Sequence, residues 1–293
     1  MSMQSRSSGE VTGDCMLCNA EANAKIKLLH GTVGQCTLCG RQGHLISATM
    51  NSGWILRKLQ ASDYMENGKQ SGTHPFRYWI FDNYCEPLAP ARMADIMLHR
   101  WQVSYDNDVE RGKRTSRDWG NMPIEARAAF EMLRAPYTVA NFAHLTGIPT
   151  LIDDPEAHGA GLHLSVDGSY LQAHLDYEVH PTLQTHERRL NAILFMHHEW
   201  DRNWGGELLL CDMNGKAVVE IEPKPGRLAL FECGPESMHA VRVISCKQAV
   251  RLSCAVYYLA ERRSTACRTR AVFLPNRCHG GTPSEVGAKV LVG

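Results

Sequence analysis

The side chains best suited to metal chemistry are His174 and Asp176, followed much later in the chain by His239 and Arg251. Two imidazoles and one carboxylate bind one face of a non-haem Fe(II) ion and leave its other positions open. Residues i and i+2 of a β-strand point to the same side, so His174 and Asp176 can reach one ion while Leu175 packs behind them. A single H-x-D pair often arises by chance, so the flanking sequence must show whether these residues form a metal site.

The flanking sequence contains further motifs in a fixed order: LQAHLDYEVHP, RRLNAILF, WGGELLL, MHAVRV and RLSCAVYYL. From about Leu145 to Leu259 it resembles the prolyl-4-hydroxylase-like branch of the Fe(II)/2-oxoglutarate dioxygenases, and its bacterial-type members most. The resemblance implies a double-stranded β-helix with iron at its mouth. It also implies oxidation of an unactivated C–H bond by O₂, coupled to decarboxylation of 2-oxoglutarate, with ascorbate as an optional cofactor.

The resemblance assigns roles to four residues. His174, Asp176 and His239 are the expected iron ligands; the alternative for His239 is an ordinary strand histidine near the surface, which the flanking match makes the weaker interpretation. Arg251 is expected to bind the distal carboxylate of 2-oxoglutarate, because a guanidinium can grip a carboxylate through two parallel hydrogen bonds. Ser253 lies two residues on, hence on the same strand face, and its hydroxyl could add a third bond.

The predicted strand 189–196 places Asn191 and Phe195 on one face. The family usually has a tyrosine where Phe195 stands, and its hydroxyl can bind 2-oxoglutarate. We expect Asn191 or Ser253 to take over that contact, with Phe195 as an apolar wall of the pocket. His163 and His180, on either side of the first ligands, are expected to be hydrogen-bonded structural residues.

A second metal site is predicted near the N-terminus from two CxxC pairs, Cys15 with Cys18 and Cys36 with Cys39. Paired knuckles of this kind are typical of a four-thiolate Zn(II) site, whose binding energy folds a short segment. Two redox CxxC pairs, or four unrelated core thiols, are the alternatives. We expect this zinc ribbon to brace its neighbour or to dock a protein partner, because it lacks the basic footprint of a nucleic-acid binder.

Short apolar, partly alternating segments follow one another through the second half of the chain. Turn sequences such as Asn214-Gly215 and Pro225-Gly226 separate them, which favours a sandwich or jelly roll. The predicted strands are 170–176, 189–196, 206–211, 217–222, 227–232, 238–244 and 250–259.

The predicted fold is mainly β with flanking helices (α+β), a jelly roll preceded by a small zinc ribbon. Apolar spacing predicts helices over 90–102, 123–133 and 137–145. The polar segment 104–120 is expected to be a loop or lid near the substrate entrance. The predicted division is a disordered N-terminus 1–13, a zinc-ribbon-like module 14–48, a helical support region 49–160, a catalytic core 161–262 and a C-terminal extension 263–293.

Composition sets the cellular context. The 293 residues are 44% apolar, and Lys plus Arg equals Asp plus Glu at 31 each. No global charge therefore points to nucleic acid or to an anionic membrane. The Ser-rich start lacks the apolar stretch of a signal peptide, and no apolar run is long enough to span a membrane. A reducing cytoplasm is the expected location, since the cysteines not assigned to zinc are scattered and odd in number.

The sequence thus predicts a 2-oxoglutarate-dependent hydroxylase that acts on a small metabolite or on an amino-acid or peptidyl substrate and releases succinate and CO₂. Desaturation and ring closure begin with the same hydrogen abstraction, so they remain open. The alternative from another class is a catalytically inactive jelly roll that acts with the zinc ribbon as a binding or adaptor module. Phe195 in place of tyrosine is the residue that favours this alternative.

Overall fold

The computed structural model describes residues 69–85, 87–99, 101, 103–118 and 122–274, and the backbone of 10–15, 20–30, 33–36, 42–47 and 54–57. Five strands lie in the N-terminal part: β1 (Glu10–Cys15), β2 (Ala20–His30), β3 (Val33–Cys36), β4 (Gln42–Ser47) and β5 (Trp54–Arg57). They close into a barrel in which β1 pairs antiparallel with β2 and parallel with β5. This barrel extends beyond both boundaries of the predicted module 14–48.

The rest of the described chain contains fourteen strands, three helices and a short 3-10 turn. The strands are β6 (Lys69–Gly72), β7 (Tyr78–Phe81), β8 (Val103–Asp106), β9 (Glu110–Ser116), β10 (Ile152–Asp153), β11 (Gly161–Ser165), β12 (Tyr170–Leu175), β13 (His186–Phe195), β14 (Leu208–Cys211), β15 (Ala217–Ile221), β16 (Leu228–Glu232), β17 (His239–Val241), β18 (Arg251–Glu261) and β19 (Val272–Phe273). The helices are α1 (Pro90–Met97), α2 (Ile124–Arg134) and α3 (Pro136–Thr146), and the turn is Arg202–Trp204.

The strands from β11 to β18 form two antiparallel sheets of four. The first sheet has the order β11-β18-β13-β16, and the second has the order β12-β17-β14-β15. Apart from the hairpin β14–β15, each connection between consecutive strands crosses from one sheet to the other. Eight strands in two such sheets make a jelly roll. The predicted double-stranded β-helix, mainly β with flanking helices, is confirmed.

The described residues form three buried apolar clusters, of which two pack against the first sheet and the third lies on strands of the second sheet. One lies between the first sheet and the helices and includes Leu190 and Leu194 of β13 with Leu133 of α2. Another lies between the two sheets and includes Phe195 and Phe231. The even-numbered apolar residues of β13 thus face the helices while Phe195 faces the interior of the jelly roll, as the predicted alternation requires.

The three predicted helices are confirmed. Helix α1 is shorter than predicted, α2 begins after Pro123, and α3 begins at Pro136. Gly147 ends α3 with a φ of 70°, the left-handed conformation that favours glycine at this position. No helix in the described part of the chain combines the length and the apolar character needed to cross a membrane.

The segment 104–120 is a correction to the sequence-based expectation, because most of it forms the hairpin β8–β9 instead of a loop. Strand β9 pairs with both β11 and β12 and so joins the two sheets along one edge. A bulge at Gly112, whose φ is +70°, breaks the two-residue alternation that would have identified the strand. Arg111 and Arg114 lie on the exposed side, which gave the segment its polar appearance.

We expect Leu194→Ala to lower the free energy of unfolding by about 2–5 kcal/mol, because it opens a cavity between the first sheet and the helices. Leu194 is 0% exposed, whereas Val218, which is 38% exposed on β15, provides the matched control as Val218→Ala. Urea unfolding followed by circular dichroism measures both. Equal losses in the two variants would contradict the described core.

Candidate metal site

His174, Asp176 and His239 come together at one end of the jelly roll. His174 on β12 lies opposite His239 on β17, and Asp176 follows directly after β12. The Nε2 atom of His174 lies 3.7 Å from Oδ1 of Asp176, and Nε2 of His239 lies 3.8 Å from Oδ2. One ligand atom from each residue lies within 4.8 Å of the other two, so one ion can contact all three.

Hydrogen bonds orient both imidazoles toward that common point. Nδ1 of His174 donates to the carbonyl of Gln172 at 2.9 Å, and Nδ1 of His239 donates to the carbonyl of Ser237 at 2.9 Å. These hydrogen bonds place a proton on each Nδ1, so Nε2 is the nitrogen that each ring offers to a metal. Burial, followed by the neighbouring His239, lowers the pKa of His174 to about 3, so its ring is neutral at ordinary pH.

The Asp176 carboxylate completes a donor set that fits Fe(II). Its Oδ2 atom is buried and has no hydrogen-bond partner among the described residues. Such an atom is costly unless a cation compensates it. Two neutral imidazoles and one carboxylate on one side of a point are the donor set that non-haem iron takes, and the residues present therefore fit this metal.

The guanidinium of Arg188 lies beside the carboxylate of Asp176, a contact that the sequence did not predict. Nη1 lies 3.6 Å from Oδ1 of Asp176, and Nη2 donates to the carbonyl of His158 at 2.8 Å. The guanidinium carbon lies 3.5 Å from the ring centroids of both Tyr177 and Tyr257. Burial alone would raise the pKa of Asp176, but Arg188 and then His239 and His174 lower it below the ordinary value, so the carboxylate stays ionised.

Aromatic rings pack against the two imidazoles. Phe273 stacks on His174 with centroids 5.0 Å apart and an interplanar angle of 19°, and Phe231 lies 4.9 Å from His239. Phe273 reaches His174 because β19 pairs with β12. The polar, basic sequence around β19 gave no signal for this contact.

A cavity of about 190 Å³ opens beside the three residues. Predicted residues Asn191, Arg251 and Ser253 line it together with the expected iron ligands. Phe195 does not line it and lies behind Arg251, whose guanidinium carbon is 4.9 Å from the ring centroid. Further lining side chains include Glu110, Lys113, His163, Ser165, Tyr170, Ile193, Leu208, Val241, Tyr257 and Phe273.

Arg251 is a buried cation that forms no ion pair with a carboxylate of the described residues. It is 5% exposed, and its Nε donates to the carbonyl of Gly206 at 3.0 Å. The neighbouring Glu207 pairs with Arg242 at 3.0 Å. Burial lowers the pKa of Arg251 to about 10, so it remains charged at neutral pH. An unpaired buried cation beside a cavity fits an anionic ligand such as the distal carboxylate of 2-oxoglutarate.

The two histidines expected to be structural differ in their surroundings. His180 is buried, with Nε2 3.3 Å from Asp154 and Nδ1 accepting from the backbone N–H of Leu183, which agrees with a structural role. His163 instead lines the cavity, opposite Ser253 on β18. Burial, followed by the cations Lys113 and Arg251, lowers the pKa of His163 well below its ordinary value, so this ring is a neutral polar group of the cavity.

The predicted zinc ligands are described only in part. Cys15 is the last residue of β1 and Cys36 the last residue of β3, whereas Cys18 and Cys39 lie outside the described residues. The four-thiolate site therefore stays a prediction.

Comparison with known families identifies the segment that carries the site. Residues 160–259 match the model of the 2OG-Fe(II) oxygenase superfamily. The match includes His174, Asp176, His239 and Arg251. The predicted resemblance to the Fe(II)/2-oxoglutarate dioxygenases is thereby confirmed over this part of the chain.

Similar solved structures include prolyl hydroxylases. A prolyl-4-hydroxylase from Pseudomonas putida is 19% identical with a TM-score of 0.42, over 70% of this chain and 97% of that one. A prolyl hydroxylase from Trichoplax adhaerens is 16% identical with a TM-score of 0.40, over 68% and 87%. HygX from Streptomyces hygroscopicus is 12% identical with a TM-score of 0.38, over 65% and 85%. No curated protein sequence matches this chain. At these identities the alignments transfer no residue role to this chain.

We expect His174→Ala and His239→Ala each to bind one metal ion fewer per chain than the unchanged protein, because each removes a donor from the cluster. Fe(II) content after anaerobic loading and desalting measures this. His198→Ala, which removes an exposed imidazole outside the cluster, is the control and should retain the ion. Full Fe(II) retention by both cluster variants would contradict the assigned site.

We expect Arg188→Leu to weaken Fe(II) binding, and to do so more strongly as the pH falls. Without Arg188 the largest effect that lowers the pKa of Asp176 is lost while its burial remains, so the pKa rises and protons compete with the metal at a higher pH than in the unchanged protein. Fe(II) affinity measured from pH 8 down to pH 5.5 tests this. A constant ratio of affinities across that range would mean that Arg188 does not control the charge of Asp176.

Proposed function

From the match of residues 160–259 to the 2OG-Fe(II) oxygenase superfamily, we propose that the protein is a 2-oxoglutarate-dependent dioxygenase that hydroxylates a C–H bond of a small metabolite or of an amino-acid or peptidyl substrate. Succinate and CO₂ are the coproducts. The observation that carries the proposal is one cavity lined both by the cluster of His174, Asp176 and His239 and by the unpaired Arg251.

Each residue contributes a distinct physical function. His174 and His239 present neutral Nε2 lone pairs, and Asp176 presents the negative charge. Fe(II) in this site, with 2-oxoglutarate and O₂, supplies the oxidising power for C–H hydroxylation. Arg251 orients 2-oxoglutarate by its distal carboxylate, so that the 2-oxo acid end points toward the cluster.

The other residues that line the cavity are of two kinds, polar ones that can bind a ligand and apolar ones that exclude water. Ser253 and Asn191 line the cavity, and Oδ1 of Asn191 is buried without a hydrogen-bond partner among the described residues. Both can therefore hydrogen-bond a ligand. Ile193, Leu208 and Val241 line the same cavity and exclude water, which strengthens electrostatic interactions inside it.

The size of the cavity limits what enters it. Pockets that enclose drug-sized ligands have volumes of roughly 300–1,000 Å³. The 190 Å³ present here suits a small dicarboxylate and the reacting part of a substrate. The remainder of a larger substrate would lie outside the cavity, which keeps both a small metabolite and a peptide side chain within the proposal.

Conversion of 2-oxoglutarate to succinate under air tests the proposal. We expect Asp176→Ala to abolish it, because the metal loses its charged ligand. Arg251→Met should raise the KM for 2-oxoglutarate about 10- to 100-fold, the range expected for loss of hydrogen bonds to a charged group. Arg92→Met, at a side chain 53% exposed on α1, is the matched control and should leave KM unchanged.

A panel of free amino acids, small metabolites and short peptides then identifies the substrate class. The substrate is the compound that accelerates succinate release and itself gains one oxygen atom by mass spectrometry. A product lacking two hydrogens instead would indicate desaturation or ring closure. Absence of any 2-oxoglutarate turnover in folded, Fe(II)-loaded protein with every compound would contradict the proposal.

A further inference from the structure

A second cation faces the cavity at the level of Arg251. Ser165 of β11 pairs with Arg251 of β18, and Leu164 pairs with Arg114 of β9. The next position on β9 along this antiparallel register, Lys113, therefore lies beside Ser165. Lys113, Ser165 and Arg251 form a cross-strand row, and all three line the cavity.

The bulge at Gly112 determines which side of β9 Lys113 occupies. The register changes between Tyr105 paired with Lys113 and Asp106 paired with Arg111. Gly112 has a φ of +70°, and a Cβ there would clash with Oγ of Ser169. Only glycine fits this position, and the bulge directs Lys113 inward while Arg111 stays exposed.

Lys113 differs from Arg251 in having a counter-ion. Its Nζ lies 2.7 Å from Oε1 of Glu110, and both side chains line the cavity. The side chain of Lys113 is 22% exposed and that of Glu110 is 10% exposed. Both Lys113 and Arg251 lower the pKa of His163, so both cations act on the same part of the cavity wall.

We propose that Lys113 binds the distal carboxylate of 2-oxoglutarate together with Arg251, and that Glu110 holds Lys113 in place when the cosubstrate is absent. This inference rests on the proposed function. Adjacent strands lie roughly 4.8 Å apart, so the backbones of Lys113 and Arg251 are about 10 Å apart across Ser165. Their long side chains can meet at one carboxylate over the intervening serine.

Arg251 supplies donors from one end of the cross-strand row. Lys113 supplies a donor from the other side of the row. A carboxylate then receives charge-assisted hydrogen bonds from both cations, which are stronger than neutral ones.

Anaerobic titration of Fe(II)-loaded protein tests this proposal, with the metal-to-ligand absorption band as the signal. The ligands are 2-oxoglutarate and 2-oxobutyrate, which keeps the 2-oxo acid end and lacks the distal carboxylate. We expect Lys113→Met to raise the Kd for 2-oxoglutarate about tenfold or more and to leave that for 2-oxobutyrate unchanged. Lys216→Met, at an exposed lysine that does not line the cavity, should change neither Kd.

Two more variants separate cosubstrate binding from a purely structural ion pair. Lys113→Arg keeps the charge and should restore most of the affinity for 2-oxoglutarate. Glu110→Gln removes the competing carboxylate and should leave the affinity for 2-oxoglutarate equal or higher. This variant keeps the proposal testable if Lys113→Met does not fold. Urea unfolding of each variant checks that the fold is retained.

Three outcomes overturn the proposal. If Lys113→Met binds 2-oxoglutarate as tightly as the unchanged protein does, Lys113 does not contact the cosubstrate. An equal loss of affinity for both ligands would mean that Lys113 does not act on the distal carboxylate. A several-fold weaker binding by Glu110→Gln would mean that the ion pair is structural. If the unchanged protein forms no complex with Fe(II) and 2-oxoglutarate, the proposed function itself is wrong. If the unchanged protein forms the complex and only the Lys113 variants depart from expectation, the proposed function stands and the role of Lys113 is wrong.

Discussion

The antiparallel pairing of β12 with β17 is the constraint on which the candidate site depends. It sets His174 opposite His239, and each ring is fixed by a carbonyl two residues earlier on its own chain segment, that of Gln172 or Ser237. Because side chains alternate along a strand, a slip of one residue would turn one imidazole away from the other. The jelly roll therefore orients two nitrogen donors toward one point before any metal is bound.

Two of the three described cations around the candidate site lie beside a carboxylate. Arg188 lies beside Asp176, and Lys113 lies beside Glu110, whereas Arg251 has no carboxylate within ion-pair distance among the described residues. Fe(II) and the 2-oxoglutarate dianion carry equal and opposite charges. Their joint binding adds no net charge, while it provides Asp176 with a cation and Arg251 with an anion. The charged groups around the cavity thus complement this pair of ligands.

The jelly roll and the cluster of His174, Asp176 and His239 could be predicted from the sequence because both show in short-range patterns. Alternation along β13 and the turn residues locate the strands, and the H-x-D spacing places His174 and Asp176 on one side. Arg188 and Lys113 escaped prediction because each lies next to a bulge that breaks the two-residue alternation. Phe273 escaped because its contact with His174 depends on pairing between β12 and a strand about 100 residues downstream, for which the local sequence carries no signal.

An anaerobic crystal structure of the protein with Mn(II), as an inert substitute for Fe(II), and 2-oxoglutarate tests the central claim most directly. The account predicts one ion bound by Nε2 of His174, Nε2 of His239 and a carboxylate oxygen of Asp176. It also predicts 2-oxoglutarate on the same ion, with its distal carboxylate against Arg251. An ion bound without one of these three residues, or a distal carboxylate directed away from Arg251, would contradict it.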